Sequence, residues 1–319
     1  MPKNFVIVTN CTARKRVGVP LVRLKPPPAS AGLATMAADW RETLAAAPPV
    51  MPAGQLYVGR SISEAKATVK ILDARLFVVS AGLGLVSSER LVPGYDLSVV
   101  GDDTGLLGLL EARGASISDW WRELNQNCGL PWLLREASSA LVLIALPTTY
   151  LELLSADFAA LPSTASSRLR VFTSRSGRKA LANFPDIPVM PYDERLESLA
   201  GFAGTRSDFP QRALRHFVSS LGAHKLDAVS ASAAVEHSLS SCRTPVVPLR
   251  RRLSDDEICE IIRKGWSACR ANSTRLLRYL RDDELVACEQ SRFAGLRRRV
   301  ALEIAEQNLS TLPEAIHVV

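Results

Sequence analysis

The chain has 319 residues, of which 47% are hydrophobic, 22% charged and 6% aromatic. That length can bury a real core and accommodate two domains. No apolar run reaches the ~20 residues that cross a bilayer, and the composition excludes collagen-like, coiled-coil and wholly disordered chains. The formal net charge of +7 favours an anionic partner such as nucleic acid. The charge is uneven: residues 1–30 hold Lys3, Arg14, Lys15, Arg16, Arg23 and Lys25 and no acid. Arginine outnumbers lysine, which suits bidentate phosphate contact and is also what a GC-rich genome produces. Such a genome does not explain the acid-free start. Cys11, Cys128, Cys242, Cys259, Cys269 and Cys288 are scattered, with no Cys-x-x-Cys pair and no histidine cluster. No metal site and no cofactor are therefore expected. MPKNFVIVTN lacks a basic-then-apolar leader, so the expectation is a cytoplasmic, reduced, membrane-free and monomeric protein.

In chain order, four short apolar runs read as strands: residues 4–9 (NFVIVT), 76–80 (LFVVS), 140–146 (ALVLIAL) and 169–173 (LRVFT). Continuous rather than alternating apolar character fits strands buried on both faces. Residues 31–47 and 61–72 read as helices, residues 106–135 as one or two more, and residues 210–221 as another. This alternation predicts an α/β fold with a four-stranded, mainly parallel sheet flanked by helices.

In such sheets the site lies beyond the carboxyl ends of the strands. After the first strand come Asn10, Cys11, Thr12, Arg14, Lys15 and Arg16. Asn10 is either a water- or base-positioning amide or a turn cap. Cys11 reads as a buried small residue, or as a nucleophile with no histidine nearby to activate it. After the second strand, Ser80, Gly82 and Gly84 suggest a tight turn with some ligand contact; this is not a Gly-x-Gly-x-x-Gly loop. Tyr95 and Asp96 offer a stacking ring and a general base, or simply a turn former. Asp102 and Asp103 read as a solvated loop pair. After the fourth strand, Thr173, Ser174, Arg175, Arg178 and Lys179 combine hydroxyls and cations where a helix begins, which favours phosphate contact. Arg206 joins the basic set. His237, in a serine-rich segment read as a loop, is the one histidine retained as a candidate; His317 carries no motif.

A composition break falls at residues 245–252 (PVVPLRRR). The expected division is a catalytic α/β domain over residues 1–245 and a helical DNA-binding module over residues 253–319. Ser254 and Glu257 form a capping box. Three short helices follow, with Ile258, Ile261, Ile262, Trp266, Cys269, Leu276, Leu277, Leu280, Phe293, Leu296 and Val300 facing inward and Gln290, Arg292, Arg297, Arg298 and Arg299 on a basic outer face. This is a helix-turn-helix or winged-helix pattern, or else a helical cap.

The order NCTARK, QLYVG (residues 55–59), SAGLGLV (residues 80–86) and YDLS (residues 95–98) resembles a set of bacterial and phage α/β proteins. These are distantly similar to the YaaA peroxide-stress proteins, which bind DNA, and to the uracil-DNA glycosylase superfamily. The resemblance covers roughly residues 4–215. It implies that Asn10 matches the water-activating motif and Thr173 to Gly177 the DNA-contacting one. The chain lacks the Asp-Pro-Tyr and His-Pro-Ser motifs of that superfamily, which points away from uracil. The whole architecture looks most like anti-phage DNA glycosylases that excise glucosylated cytosine from phage double-stranded DNA. On that resemblance Asn10 or Asp96 activates a water, Cys11, Thr12, Ser80, Gly82, Gly84, Tyr95, Thr173, Ser174 and His237 surround the substrate, and Arg14, Lys15, Arg16, Arg175, Arg178, Lys179, Arg206, Arg292 and Arg297 hold DNA. Lys15 or Lys179 is an alternative Schiff-base amine, although neither has an apolar neighbourhood visible in the sequence. The rival readings are a non-catalytic DNA-binding factor and a base-exchange enzyme.

Overall fold

Val6, Ile7 and Val8 are fully buried because the first strand lies inside a sheet with neighbours on both sides. The computed structural model describes residues 4–16, 18–25, 28, 31–99, 106–126, 128–245 and 248–310. Lys3, Asp102, Asp103 and His317 lie outside the described residues. The chain divides into two units, 1–245 and 246–319.

The central sheet of the first unit has five strands: β1 (Phe5–Asn10), β2 (Arg75–Ser80), β3 (Gly84–Ser87), β4 (Leu141–Ala145) and β5 (Leu169–Phe172). Their order is β3-β2-β1-β4-β5. The four runs read from the sequence pair in parallel. β3 is an addition: it folds back antiparallel on β2, with Ser80 opposite Gly84. The Gly82–Gly84 stretch is thus the turn of a hairpin, and Gly84 takes φ +72°, a conformation that disfavours side chains.

Helices flank this mixed sheet. α1 (Leu33–Ala46) packs on α3 (Ile117–Asn125), and α2 (Arg60–Leu72) packs on α4 (Phe209–Ser219). Glu64 of α2 bonds Arg215 of α4 across that second contact. The segment read as one or two helices holds three, Leu106–Glu111, α3 and Leu130–Glu136. The serine-rich segment around His237 is a helix rather than a loop, α5 (Ala228–Ser240). Asp227 caps it, accepting from the backbone N–H of Val229 and Ser230, and its alanines favour helix.

The second unit has α6 (Asp255–Gly265), α7 (Ser273–Arg278), which continues as a π-turn over Tyr279–Asp283, and α8 (Gln290–Ser310). The Ser254–Glu257 capping box forms. Ile258, Ile262, Leu276, Leu280, Phe293, Leu296 and Val300 build a core of its own, against which Ile261, Trp266, Cys269 and Leu277 pack only partly buried. Among the described residues this unit has no β-hairpin, only an isolated bridge between Arg251 and Val286. No described helix of the chain is long and apolar enough to cross a membrane.

Candidate functional site at the strand ends

The carboxyl ends of β1 and β2 bring together residues from four segments. Asn10 closes β1 and is 7% exposed. Its Oδ1 accepts from Gln211 Nε2 at 2.8 Å and its Nδ2 donates to the Cys11 carbonyl at 2.8 Å. A primary amide offers two N–H donors and two acceptor lone pairs, so one of each remains after these bonds. Cys11 is 2% exposed, with Sγ 3.1 Å from the Tyr150 hydroxyl. It is a packed residue beneath the surface.

Lys15 follows on a backbone held against Tyr57: Arg16 N–H donates to Leu56 O, and Val58 N–H to Arg14 O. Its Nζ stands 4.5 Å from the centroid of the Tyr95 ring and 6.0 Å from that of Tyr57. Burial pushes the Lys15 ammonium below its ordinary pKa, while Cys11 and Asp96 act in the opposite direction. The expectation that Lys15 has no apolar neighbourhood is therefore corrected: tertiary pairing supplies two aromatic rings.

Beneath Lys15 three hydroxyls form a chain. Tyr57 Oη is 2.9 Å from Tyr95 Oη, which is 2.6 Å from Ser80 Oγ. Ser80 Oγ also accepts from the backbone N–H of Gly82 and Leu83. Burial drives the Tyr57, Tyr95 and Tyr150 phenols well above their usual range, so all three stay neutral. Tyr95 is 0% exposed, so its ring is a wall of the core and not a surface on which a base can stack. A Cβ on Gly82 would meet that ring at 2.4 Å, and one on Gly84 would meet Asn125 Oδ1 at 2.5 Å. Both glycines are filled against by the protein itself. Trp40 Nε1 donates to Gly82 O at 2.7 Å and Trp120 Nε1 to Ala81 O at 2.8 Å, which fixes the hairpin turn.

Asp96 sits beside this cluster with its side chain 52% exposed and 3.2 Å from Arg23. Thr12 Oγ1 bonds Arg14 O. At the end of β5, Thr173 is buried and its hydroxyl has no hydrogen-bond partner among the described residues, and Ser174 caps the short helix Arg175–Ala180. The cations differ in their commitments. Arg14, Lys179 and Arg206 are exposed and make no side-chain bond among the described residues. Arg16 bonds Gln55 O, Arg175 lies 3.5 Å from Glu194, and Arg178 bonds Tyr192 O. In the second unit Arg292 pairs with Asp255 and Arg297 bonds Ala271 O while lying over Trp266, so both brace that unit internally. His237 is exposed on α5 and makes no side-chain hydrogen bond among the described residues.

Tyr57, Tyr150 and Gln211 join the cluster without having been singled out as site residues. Tyr57 stands in the QLYVG segment; Tyr150 and Gln211 lie outside the segments read as a site. Among the described residues no group of His, Cys, Asp and Glu is arranged to hold a metal. A surface recess of about 430 Å³ lined by Pro131, Leu134, Arg135, Leu161 and Arg168 precedes β4 and β5, at the amino ends of the strands.

The fold and site define an α/β protein with a mainly parallel sheet whose strand ends gather an amide, an amine and buried hydroxyls. No protein-family model, curated protein or solved structure matches the chain.

Proposed function

We propose that the chain is a DNA N-glycosylase that flips glucosylated hydroxymethylcytosine out of phage double-stranded DNA and hydrolyses its N-glycosidic bond in anti-phage defence. The observation that carries this reading is the rigidly held Asn10 amide, with spare donor and acceptor capacity, at the end of β1, from which the chain runs on to the exposed Arg14 and to Lys15. Unpaired cations grip phosphates, and flipping costs a few kcal/mol of stacking. Asn10 orients, or Asp96 deprotonates, a water that attacks C1′. The base departs with the glycosidic electron pair, and the oxocarbenium-like sugar is stabilised by a neighbouring carboxylate. The second unit acts as an accessory helix-turn-helix-like DNA-binding module through a face other than Arg292 and Arg297, whose side chains brace it internally.

A non-catalytic DNA-binding role is the second reading. It is favoured by the internal engagement of both water-activating candidates, Asn10 with Gln211 and Asp96 with Arg23. The deciding experiment incubates the protein with phage DNAs carrying glucosylated, hydroxymethylated or plain cytosine. Released base and matching abasic sites support the glycosylase. Binding without release supports the second reading, and incorporation of a labelled free base identifies base exchange.

A further inference from the structure

We propose that Lys15 gives this site a second activity, an abasic-site lyase, in which its amine forms an imine with C1′ of the deoxyribose that base excision leaves behind. The inference rests on the glycosylase reading for its natural substrate, but its chemistry is testable without it.

Three observations converge on Lys15. Its amine is uncommitted: Nζ makes one long contact, 3.4 Å to Ala13 O, and no ion pair among the described residues. Arg175 and Arg23, by contrast, face Glu194 and Asp96, and the unbonded Arg14 and Lys179 are exposed and make no aromatic ring contact among the described residues. Its surroundings are aromatic, with the Tyr95 face at 4.5 Å and Tyr57 beyond it. Its backbone is pinned by the bridge to Tyr57, five positions past the end of a buried strand, so the amine is carried by a rigid element, as a nucleophile requires. Burial holds the Lys15 ammonium below its ordinary pKa against the opposing influence of Cys11 and Asp96, which is the direction in which a lysine nucleophile is activated. The neutral phenols below cannot neutralise it by ion pairing.

The step balances without a redox partner. The ammonium first gives its proton to water. The nitrogen lone pair attacks C1′ of the ring-opened sugar aldehyde, and the carbinolamine loses water to give a protonated imine. A base then removes a C2′ proton. The C3′–O bond breaks, and the 3′ phosphate leaves with the electron pair. Water hydrolyses the imine and regenerates the Lys15 amine.

The test uses the full chain and a DNA duplex with one aldehydic abasic site, prepared by removing a single uracil. With cyanoborohydride present, a covalent protein–DNA adduct is expected, and peptide mass mapping should place it on Lys15. Without reductant, strand cleavage on the 3′ side of the site is expected. Lys15→Arg keeps the positive charge but cannot form the imine, so trapping and cleavage should fall about 10²-fold or more, while Lys225→Arg should match the wild type. An adduct mapped to another amine, or trapping undiminished in Lys15→Arg, overturns the proposal. Because mapping is done on the wild type, this holds even if the variant folds poorly. Base release from modified DNA with no trappable adduct overturns the lyase and leaves the glycosylase standing. A Lys15 adduct with no base release from any phage DNA supports the lyase while removing the glycosylase reading.

Discussion

Gln211 Nε2 lies 2.8 Å from Asn10 Oδ1, joining two residues 201 positions apart. The same nitrogen reaches Thr9 Oγ1 at 3.0 Å and Ala145 O at 2.9 Å, so one fully buried side chain on α4 ties the end of β1 to the end of β4. This fixes the Asn10 amide plane. Asn10→Ala should reduce excision of the modified base by ~10²-fold, the usual scale for losing one positioned polar group. DNA affinity should stay within a few-fold, because phosphate contacts dominate it. Gln211→Ala leaves Asn10 chemically intact and held only through its Nδ2 bond to the Cys11 carbonyl. It should lower the rate less, and cost roughly 1–3 kcal/mol of stability through unpaired buried groups. Single-turnover kinetics and thermal melts check both; near-wild-type excision by Asn10→Ala transfers the role to Asp96.

The Gly82–Tyr95 contact gives a packing prediction. A methyl group at Gly82 would stand 2.4 Å from the Tyr95 ring, which is itself fixed by hydroxyl contacts to Tyr57 and Ser80. Gly82→Ala should destabilise the first unit by about 1–3 kcal/mol, the range for overpacking a filled core. Tyr95→Leu removes ring atoms and hydroxyl, and is also destabilising. The double variant should be less harmed than the sum of the two, since the leucine yields space to the methyl group. Additive losses in chemical denaturation would mean that ring and glycine do not compete for that space.

The four parallel strands were legible because each is a short, mostly apolar run bounded by turn residues, broken only by Arg170 in the last, as strands buried on both faces require. β3 was not, because it is four residues long and starts on Gly84, which reads as part of a tight turn with some ligand contact; the turn is there, and the strand that leaves it gives too short a run to see. The site was half legible. Asn10, Ser80 and Lys15 follow strands and are found by the rule that sites lie at strand ends. The surroundings of Lys15 were hidden, since its neighbours Arg14 and Arg16 suggest open solvent and only the pairing with Tyr57 lays it over aromatic rings. Gln211 was beyond reach, because an amide on a helix gives no sign of its distant acceptors. Arg292 and Arg297 looked like a free basic face because their partners Asp255 and Ala271 are 37 and 26 residues away.

Those commitments separate the cations into two groups. Arg14 and Lys179 are exposed and unbonded, so Arg14→Gln and Lys179→Gln should each make the slope of log affinity against log salt about one unit shallower. Arg292→Gln and Arg297→Gln should leave the slope nearly unchanged. They should instead lower the stability of the second unit by a modest amount, on the order of 1 kcal/mol, because the bonds they lose are partly solvent-screened. DNA titrations at several salt concentrations, together with melts, distinguish the groups. A slope change for Arg292→Gln equal to that for Arg14→Gln would place α8 in the DNA path.

His216 supplies a pH prediction independent of catalysis. Its ring is 4% exposed, with Nδ1 2.9 Å from Tyr192 Oη and the ring edge-on to Phe202. Burial, followed by the nearby Arg215 cation, lowers its pKa to about 4. An unfolded chain restores the ordinary histidine value of about 6.5. The folded state therefore binds the proton less readily than the unfolded state. The stability this contributes is fully present above about pH 6.5 and is lost as pH falls towards 4. Between pH 7 and pH 5 the loss should be on the order of 1–2 kcal/mol, since each unit of the shift corresponds to about 1.4 kcal/mol. His216→Gln has no ring to protonate, so its stability should start lower at pH 7 and fall less on acidification. Subtracting the two denaturation curves cancels the other titrating groups. Wild-type and variant curves that run parallel across this window would show that His216 takes up its proton equally well folded and unfolded.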